Sequence, residues 1–170
     1  MNHHNGIVYA VLETPIGGLT LVGDGHALSG LYFPDHARRP GSATFGARDD
    51  GAFADARIQL AEYFAGQRTA FDLPMAPRGN EFQQAVWRLL TTIPYGSTRS
   101  YGHLAAQLGD PGLARAVGAA NGRNPISIVV PCHRVVGHDG SLTGYAGGLA
   151  RKAYLLDLEQ PAGARVPTLF

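Results

Sequence analysis

The chain has 170 residues, 45% hydrophobic and 16% charged, which is enough to bury a core but too short for two full-sized domains. No stretch reaches the about 18 apolar residues of a membrane span, and the N-terminus lacks the basic and apolar regions of a secretory signal, so the sequence predicts a soluble cytoplasmic protein with no membrane partner. Residues 1–78 contain six basic and eight acidic side chains, whereas residues 79–170 contain eight basic and five acidic ones. Positive charge therefore collects in the second half of the chain.

The first half predicts three strands and a helix. Strands are expected over 7–13, 19–22 and 28–33, separated by turns that contain Gly, Pro or Asp. Residues 34–51 have no apolar period and are rich in Pro, Gly and Ala, which favours a surface loop. A helix over 53–65 is expected next. Its apolar residues near helical spacing are Ile58, Leu60, Ala61 and Phe64.

A linker rich in proline and glycine is expected at about 74–79, on the pattern of turn-forming residues there. It divides the chain into an N-terminal α/β domain over 1–78 and a C-terminal domain over 79–170. The strand, strand, strand, helix order predicts a small mixed sheet with a helix on one face of it in the first domain.

The second domain opens with a helix that Asn80 caps, with Gln83 completing a capping box. One apolar face of this helix is predicted to consist of Phe82, Val86, Leu89, Leu90 and Ile93. Ser100 is expected to cap a second helix over 101–108, and a third follows over 113–121 after a glycine-containing break. Two short helices joined in this way are typical of a helix-turn-helix, although an ordinary helical hairpin fits the same pattern.

The β-branched run 126–130 predicts a buried strand that leads into residues 131–136, and a closing helix is expected over 150–159. Cys132, the only cysteine, follows this strand and Pro131 directly. A lone cysteine excludes an internal disulfide and a cysteine-based zinc site, so packing or reactivity must explain it.

Cys132 precedes a histidine and an arginine, and cationic neighbours favour the reactive thiolate. Adjacent side chains on an extended segment point to opposite sides, so His133 is expected to act through one water rather than touch the sulfur. A carboxylate would be needed to orient the imidazole, and the candidates are Glu159, Asp157 and, more weakly, Asp139. An inert buried cysteine fits the local pattern equally well.

Three motifs lie together in the second half: Asn-Gly-Arg-Asn-Pro at 121–125, Pro-Cys-His-Arg-Val-Val at 131–136 and Gly-Tyr-Ala-Gly-Gly-Leu at 144–149. Together they resemble the methylated-DNA–protein-cysteine methyltransferases. Further matches in the same order are Phe82-Gln83, Val86-Trp87, Ile93-Pro94, Gly96, Ser100-Tyr101, Arg115 to Gly118 and Arg151-Lys152. The resemblance covers residues 80–159, and Thr14 to Gly17 fits the first domain of the family.

The resemblance implies an α/β fold of the α+β kind, with a small mixed-sheet N-terminal domain and a mainly helical C-terminal domain that carries a winged helix-turn-helix. It also implies an irreversible, single-turnover transfer of an alkyl group from the 6-O of guanine in double-stranded DNA to Cys132, and it leaves open whether the 4-O of thymine is a further target. His133 would take the thiol proton through a water, and Glu159 would hold His133. Asn124 would brace the turn that carries the active site. A generic turn-forming residue before Pro125 would give the same local geometry, so that interpretation of Asn124 stays open.

The resemblance further implies that the target base is flipped out through the minor groove. Arg115 would fill the vacated space and Tyr101 would turn the neighbouring phosphate; a surface arginine and a half-buried tyrosine are the plainer interpretations. The expected DNA-binding residues are Arg115, Tyr101, Ala116, Arg123, Arg134 and Arg151. The expected substrate pocket is formed by Tyr145, Val135, Ala146 and Gly147.

No cofactor and no metal are expected, and the protein is expected to be a monomer. Relatives that carry zinc use cysteines that this chain lacks, and His3 and His4 are expected to be exposed rather than metal ligands. Ala146 replaces a serine of some relatives, so a hydrogen bond to the guanine oxygen would have to come from backbone or from Tyr101. The alternatives are a non-catalytic sensor of alkylated DNA, a helix-turn-helix transcription regulator and a cysteine hydrolase.

Overall fold

The computed structural model describes residues 6–161. Its first half contains a four-stranded sheet in the order β3-β2-β1-β4, in which β1, β2 and β3 are antiparallel neighbours and β4 runs parallel to β1. The strands are β1 Val8–Thr14, β2 Gly17–Gly23, β3 Leu28–Tyr32 and β4 Ala47–Arg48. The three predicted strands are therefore present within one or two residues at each end.

The predicted surface loop 34–51 contains more structure than its composition indicated. A 3-10 turn, Ser42–Phe45, buries Phe45, and β4 follows it. The ring of Phe45 stacks on Tyr32, with centroids 5.7 Å apart, and the pair covers one face of the sheet together with Val22. Phe45 and His36, the latter packed against Tyr32 and Phe33, are buried in this segment although it shows no apolar period.

Helix α1, Ala54–Phe64, lies where the helix was predicted, and two of its four predicted apolar residues face the core: Leu60 is buried and Phe64 packs against the core. Ile58, which is 59% exposed, and Ala61 do not, because the helix buries the row Ala56, Leu60 and Tyr63. These three residues are spaced by four and three positions and form one side of the helix.

The second half is mainly helical, as expected. Its helices are α2 Glu81–Leu90, α3 Tyr101–Gln107, α4 Ala114–Gly122 and α5 Leu149–Leu158. The capping box is confirmed, since Asn80 Oδ1 accepts from the Gln83 amide at 2.8 Å and Gln83 Oε1 accepts from the Asn80 amide at 3.0 Å. Ser100 Oγ accepts from the His103 amide at 3.0 Å and caps α3. Two short strands, β5 Arg99–Ser100 and β6 Val135–Val136, pair in parallel.

The strand predicted over 126–130 was wrong. Ile126 makes one isolated bridge to Leu31, and the chain then turns through Ile128, whose φ of 71° lies in the left-handed region. Asn124 holds this turn: its Oδ1 accepts from the Ile126 amide at 3.0 Å, and its Nδ2 donates to the Val130 carbonyl at 2.8 Å. The side-chain amide supplies the hydrogen bonds that a strand neighbour would have made.

The two halves share one continuous cluster of buried hydrophobic side chains. Backbone hydrogen bonds also join them along the outer edge of β3, where the Leu31 amide donates to the Pro125 carbonyl at 2.8 Å and the Leu31 carbonyl accepts from the Ser127 amide at 3.3 Å. The edge strand is thereby covered. No helix within residues 6–161 is long and apolar enough to cross a membrane. The mixed sheet followed by a mainly helical part confirms the predicted fold class, and the exact domain boundary stays a prediction.

Candidate active site

Cys132 begins a 3-10 turn, Cys132–Arg134, and is only 3% exposed. The turn, and not the extended segment expected from the sequence, places the sulfur inside the protein beside Asn124 and Ser127. Burial raises the pKa of the Cys132 thiol above its ordinary value, although nearby hydrogen-bonding side chains and the charge of Lys152 oppose the shift. A cationic neighbour, Lys152, does favour the thiolate as expected, but burial outweighs it in the resting protein.

His133 is completely buried, and its Nε2 lies 2.7 Å from Glu159 Oε2. Burial lowers the pKa of His133 below its ordinary value, although the hydrogen bond and charge of Glu159 favour the protonated form. The imidazole is then neutral at pH 7, and we assign its proton to Nε2, which donates to the carboxylate. Nδ1 is buried and has no hydrogen-bond partner among the described residues, so a lone pair is left to accept a proton.

Glu159 receives hydrogen bonds from three side chains on two other parts of the fold, helix α1 and the turn Cys132–Arg134. Besides His133, Tyr63 of α1 donates its hydroxyl at 2.6 Å, and Arg134 donates from Nε at 2.8 Å and from Nη2 at 3.1 Å. Burial alone would raise the pKa of Glu159, but the hydrogen bonds and charges of His133 and Arg134 lower it to about 2. Glu159 is therefore a buried carboxylate that is charged at neutral pH.

Of the three carboxylates considered from the sequence, the structure brings Glu159 to His133. Asp139 lies in the loop after β6, where its side chain accepts from the Ser141 amide at 3.0 Å. Tyr63 was not found from the sequence, because nothing in the pattern of α1 indicates that its hydroxyl crosses to the second half.

Arg134 and Arg151, both predicted to bind DNA, are used inside the protein. The side chain of Arg134 is 8% exposed and also donates to the Ile93 carbonyl at 2.7 Å. Its guanidinium therefore has little exposed surface with which to bind a phosphate. Arg151 Nε donates to the Ile16 carbonyl at 2.8 Å, Nη1 pairs with Asp35, and the guanidinium lies 4.8 Å from the ring centroid of Phe33. In the protein, Arg134 neutralises Glu159 and Arg151 joins the two halves, and contact of either residue with DNA stays a prediction.

A cavity of about 580 Å³ opens between α3, α4 and the loop after β6. Its lining residues are Ala37, Arg38, Tyr101, Ala114, Arg115, Gly118, Ala119, Gly122, Thr143, Gly144, Tyr145 and Ala146. The predicted residues Tyr101, Arg115, Tyr145 and Ala146 are therefore brought to one place, and Ala116 lies exposed beside them on α4. A second, smaller cavity of about 160 Å³ is lined by both Arg38 and Arg123.

The predicted pocket residues Val135 and Gly147 are buried and do not line this cavity. Val135 lies under it, where its carbonyl accepts from Lys152 Nζ at 2.6 Å. The same ammonium donates to the Thr143 carbonyl at 2.8 Å, and the Tyr101 and Thr143 hydroxyls are 2.8 Å apart. Lys152 thus ties the loop that carries Tyr145 to α5, and its burial lowers its pKa to about 8.

Arg38 was missed by the sequence analysis. It belongs to the segment 34–51, which has no periodic pattern, and its φ of 57° places it in the left-handed region. Its guanidinium lies close to Gly122 at the end of α4, so the first half supplies one wall of the cavity.

Within residues 6–161, no group of three or more His, Cys, Asp or Glu side chains could hold a metal ion. His3 and His4, which were expected to be exposed, lie outside the described residues. The absence of a metal site at the N-terminus therefore stays a prediction.

Comparisons with known proteins identify relatives of both halves. The family described as 6-O-methylguanine DNA methyltransferase, ribonuclease-like domain, matches residues 7–77, and its DNA binding domain matches residues 81–161. A methylated-DNA–protein-cysteine methyltransferase of Mycobacterium bovis is 53% identical over 164 residues, which cover 96% of this chain and 99% of the relative. The corresponding protein of Methanosarcina acetivorans is 48% identical over 151 residues, which cover 89% of this chain and 97% of that protein.

A solved structure is similarly close in shape. The crystal structure of Mycobacterium tuberculosis OGT in complex with DNA matches with a TM-score of 0.86 and 53% sequence identity, and the match covers 89% of this chain and 92% of that chain.

The substitution Glu159→Gln tests the charge balance of the buried site. The amide fills the same space but no longer neutralises Arg134, and losing one partner of a buried ion pair costs about 3–5 kcal/mol. We expect the free energy of unfolding at pH 7, measured with urea, to fall by roughly that amount. Since the pKa of Glu159 is lowered from 4.5 to about 2 on folding, its stabilisation is lost as the pH falls through that window, and the variant should lose less stability there than the wild type.

The double variant Glu159→Gln, Arg134→Leu is the control, because it leaves no unpaired charge at this site and should recover part of the loss. Equal stability of wild type and Glu159→Gln at pH 7 would contradict the assignment of Glu159 as the buried counter-ion.

Proposed function

The chain belongs to the methylated-DNA–protein-cysteine methyltransferase family, and we propose that it repairs DNA by moving an alkyl group from the 6-O of guanine to Cys132. The observation that carries this proposal is the buried Cys132 thiol next to a neutral His133 whose Nε2 is held by a charged Glu159. A cysteine with a base and an orienting carboxylate has the parts of an activated nucleophile.

The proton step follows from the ionisation states of the site. His133 Nδ1 takes the thiol proton through one water, and Glu159 stabilises the imidazolium that forms. The sulfur then attacks the alkyl carbon, the bond from that carbon to the guanine oxygen breaks, and guanine leaves with the bonding electron pair. The product is a thioether on Cys132, which neither water nor ordinary thiols reverse, so each chain reacts once.

The cavity beside α4 is proposed as the place that receives the target base. Its volume of about 580 Å³ falls within the range of about 300–1,000 Å³ typical of small-molecule sites. Tyr145 and Ala146 line it, and a base inside a duplex reaches such a site only by leaving the stack. Ala146 offers no side-chain hydrogen bond to the guanine oxygen, so backbone or the Tyr101 hydroxyl would supply it. The 4-O of alkylated thymine is proposed as a second target of the same site.

DNA is proposed to approach along α4 with its minor groove. The exposed residues Ala116 and Ala119 are small enough for close contact, and the minor groove carries little sequence information, which suits a search for damage. Arg115 would fill the space that the base vacates, and Tyr101 would turn the adjacent phosphate. Arg38 and Arg123 both line the smaller cavity of about 160 Å³ and would contact phosphates.

The direct test of the proposed function is mass spectrometry of the protein after incubation with alkylated duplex DNA. We expect the intact mass to rise by one alkyl group, located on Cys132 by peptide mapping, with no more than one transfer per chain. Cys132→Ser should bind the same DNA without gaining mass, because a hydroxyl yields almost no nucleophile at pH 7. A mass gain in Cys132→Ser, or several transfers per chain, would contradict the proposal.

The role of Arg115 is tested by comparing two substrates. If Arg115 fills the gap in the duplex, Arg115→Ala should slow single-turnover transfer from duplex DNA far more than transfer from free alkylguanine, where no base needs to be flipped. Arg115→Lys should restore part of the rate, because it keeps the charge but not the planar guanidinium that stacks between bases. Equal proportional losses on both substrates would refute this role.

Arg123→Ala is the matched control, since Arg123 is exposed just beyond the other end of α4. A residue that contacts only phosphate should weaken binding to all DNA sequences alike and reduce the salt slope by about one unit.

A further inference from the structure

Two hydroxyl groups at the active site are buried without a hydrogen-bond partner among the described residues: Ser127 Oγ and Tyr145 Oη. Ser127 is 1% exposed. Buried polar atoms are nearly always hydrogen-bonded, because an unmade bond leaves their desolvation uncompensated. A buried hydroxyl without an acceptor beside the reacting sulfur is therefore unusual and needs a physical explanation.

The turn 126–130 fixes where the Ser127 side chain lies. The Ser127 amide donates to the Leu31 carbonyl at 3.3 Å, and its carbonyl accepts from the Val129 amide at 2.8 Å. Asn124 holds the two ends of the same turn through the Ile126 amide and the Val130 carbonyl. The backbone of Ser127 is thus tied on both sides.

The Ser127 hydroxyl makes no well-formed hydrogen bond to Cys132 or Tyr145, but it lies close enough to both to lower their pKa values. Burial raises the pKa of the Cys132 thiol, and the Ser127 hydroxyl is one of the groups that opposes the shift. Burial also raises the pKa of Tyr145 well above its ordinary value, so this phenol keeps its proton at neutral pH. The side chains of Ser127 and Tyr145 therefore both present O–H groups near the sulfur.

A neutral thiol is a weak acceptor, whereas a thiolate is charged and accepts strongly. The acceptor that the Ser127 hydroxyl lacks in the resting protein consequently appears when Cys132 loses its proton. Donors that are already in place where charge develops stabilise that charge without reorganising.

We propose that Ser127 is a further catalytic residue, whose hydroxyl donates a hydrogen bond to the Cys132 sulfur as the thiolate forms. His133 takes the thiol proton, and Ser127 keeps its own proton throughout. The proposal rests on Cys132 being the alkyl acceptor.

The test uses Ser127→Ala in the full-length chain. Because the chain has a single cysteine, the ultraviolet absorbance of the thiolate reports Cys132 alone once tyrosine ionisation is subtracted with Cys132→Ser as the blank. We expect the pKa of Cys132 to rise by about one unit in Ser127→Ala, which is about tenfold less thiolate at any pH below that pKa. Single-turnover transfer from free alkylguanine at pH 7 should slow by a similar factor and approach the wild-type rate at high pH.

Two further variants make the result specific. Ser127→Thr keeps a hydroxyl and should restore the wild-type pKa of Cys132. Ser29→Ala makes the same change on β3, where the hydroxyl donates only to the Val22 carbonyl at 3.4 Å, and should leave both the pKa and the rate unchanged.

An unchanged pKa of Cys132 in Ser127→Ala would overturn the proposal, whatever happens to the rate. A slower transfer with an unchanged pKa would place the Ser127 hydroxyl on the bound base, and an equal loss of rate at every pH with a lower melting temperature would give it a structural role only. The titration needs no alkylated substrate, so a failure of the wild type to accept an alkyl group is a separate result.

Discussion

The buried carboxylate of Glu159 is the interaction on which the rest of the site depends. It accepts hydrogen bonds from Tyr63 on α1 and from His133 and Arg134 on the turn that carries Cys132, while its own backbone follows α5. Three separate parts of the chain therefore meet at one charge. Because the carboxylate is shared, the ion pair that neutralises Arg134 also fixes the tautomer of His133, and the first half of the chain takes part in the chemistry of the second half.

Burial sets the ionisation of the whole site. It keeps Cys132 as a thiol and His133 as a neutral base, so the nucleophile is not formed until a proton moves between them. This arrangement suits the proposed single transfer to Cys132, since a permanently exposed thiolate would be consumed by other electrophiles. A thiolate that forms there needs stabilisation, and Lys152, Asn124 and Ser127 each lower the pKa of Cys132 against the effect of burial.

Short-range sequence patterns correctly predicted the features that depend on side chains a few residues apart. The capping box of Asn80 and Gln83, the cap of Ser100 and the bounds of the helices follow from side chains a few residues apart. The predictions were wrong where contacts with other parts of the chain determine the local structure. Ile126 to Val130 has the composition of a strand, but Asn124 closes it into a turn, and the apolar Ile58 is exposed because the contacts of α1 select the face that carries Tyr63.

The candidate site shows the same difference between residues that a local motif identifies and residues that only the fold brings together. Cys132, His133 and Glu159 were predicted from motifs, whereas Tyr63 and Arg38 were not, because each reaches the site from a segment without a chemical signature. Arg134 and Arg151 look like DNA contacts in a basic half of the chain, but counting charge does not reveal that buried acceptors in the protein already occupy them.

The central claim is that the resting site holds a thiol beside a neutral imidazole. The most direct measurement is the nitrogen NMR spectrum of His133 in the unreacted protein at pH 7, assigned by comparison with His133→Gln among the seven histidines. The account predicts a neutral ring with its proton on Nε2 and an unprotonated Nδ1, unchanged in Cys132→Ser. A doubly protonated ring that becomes neutral when Cys132 is replaced would show a thiolate–imidazolium pair and contradict the account.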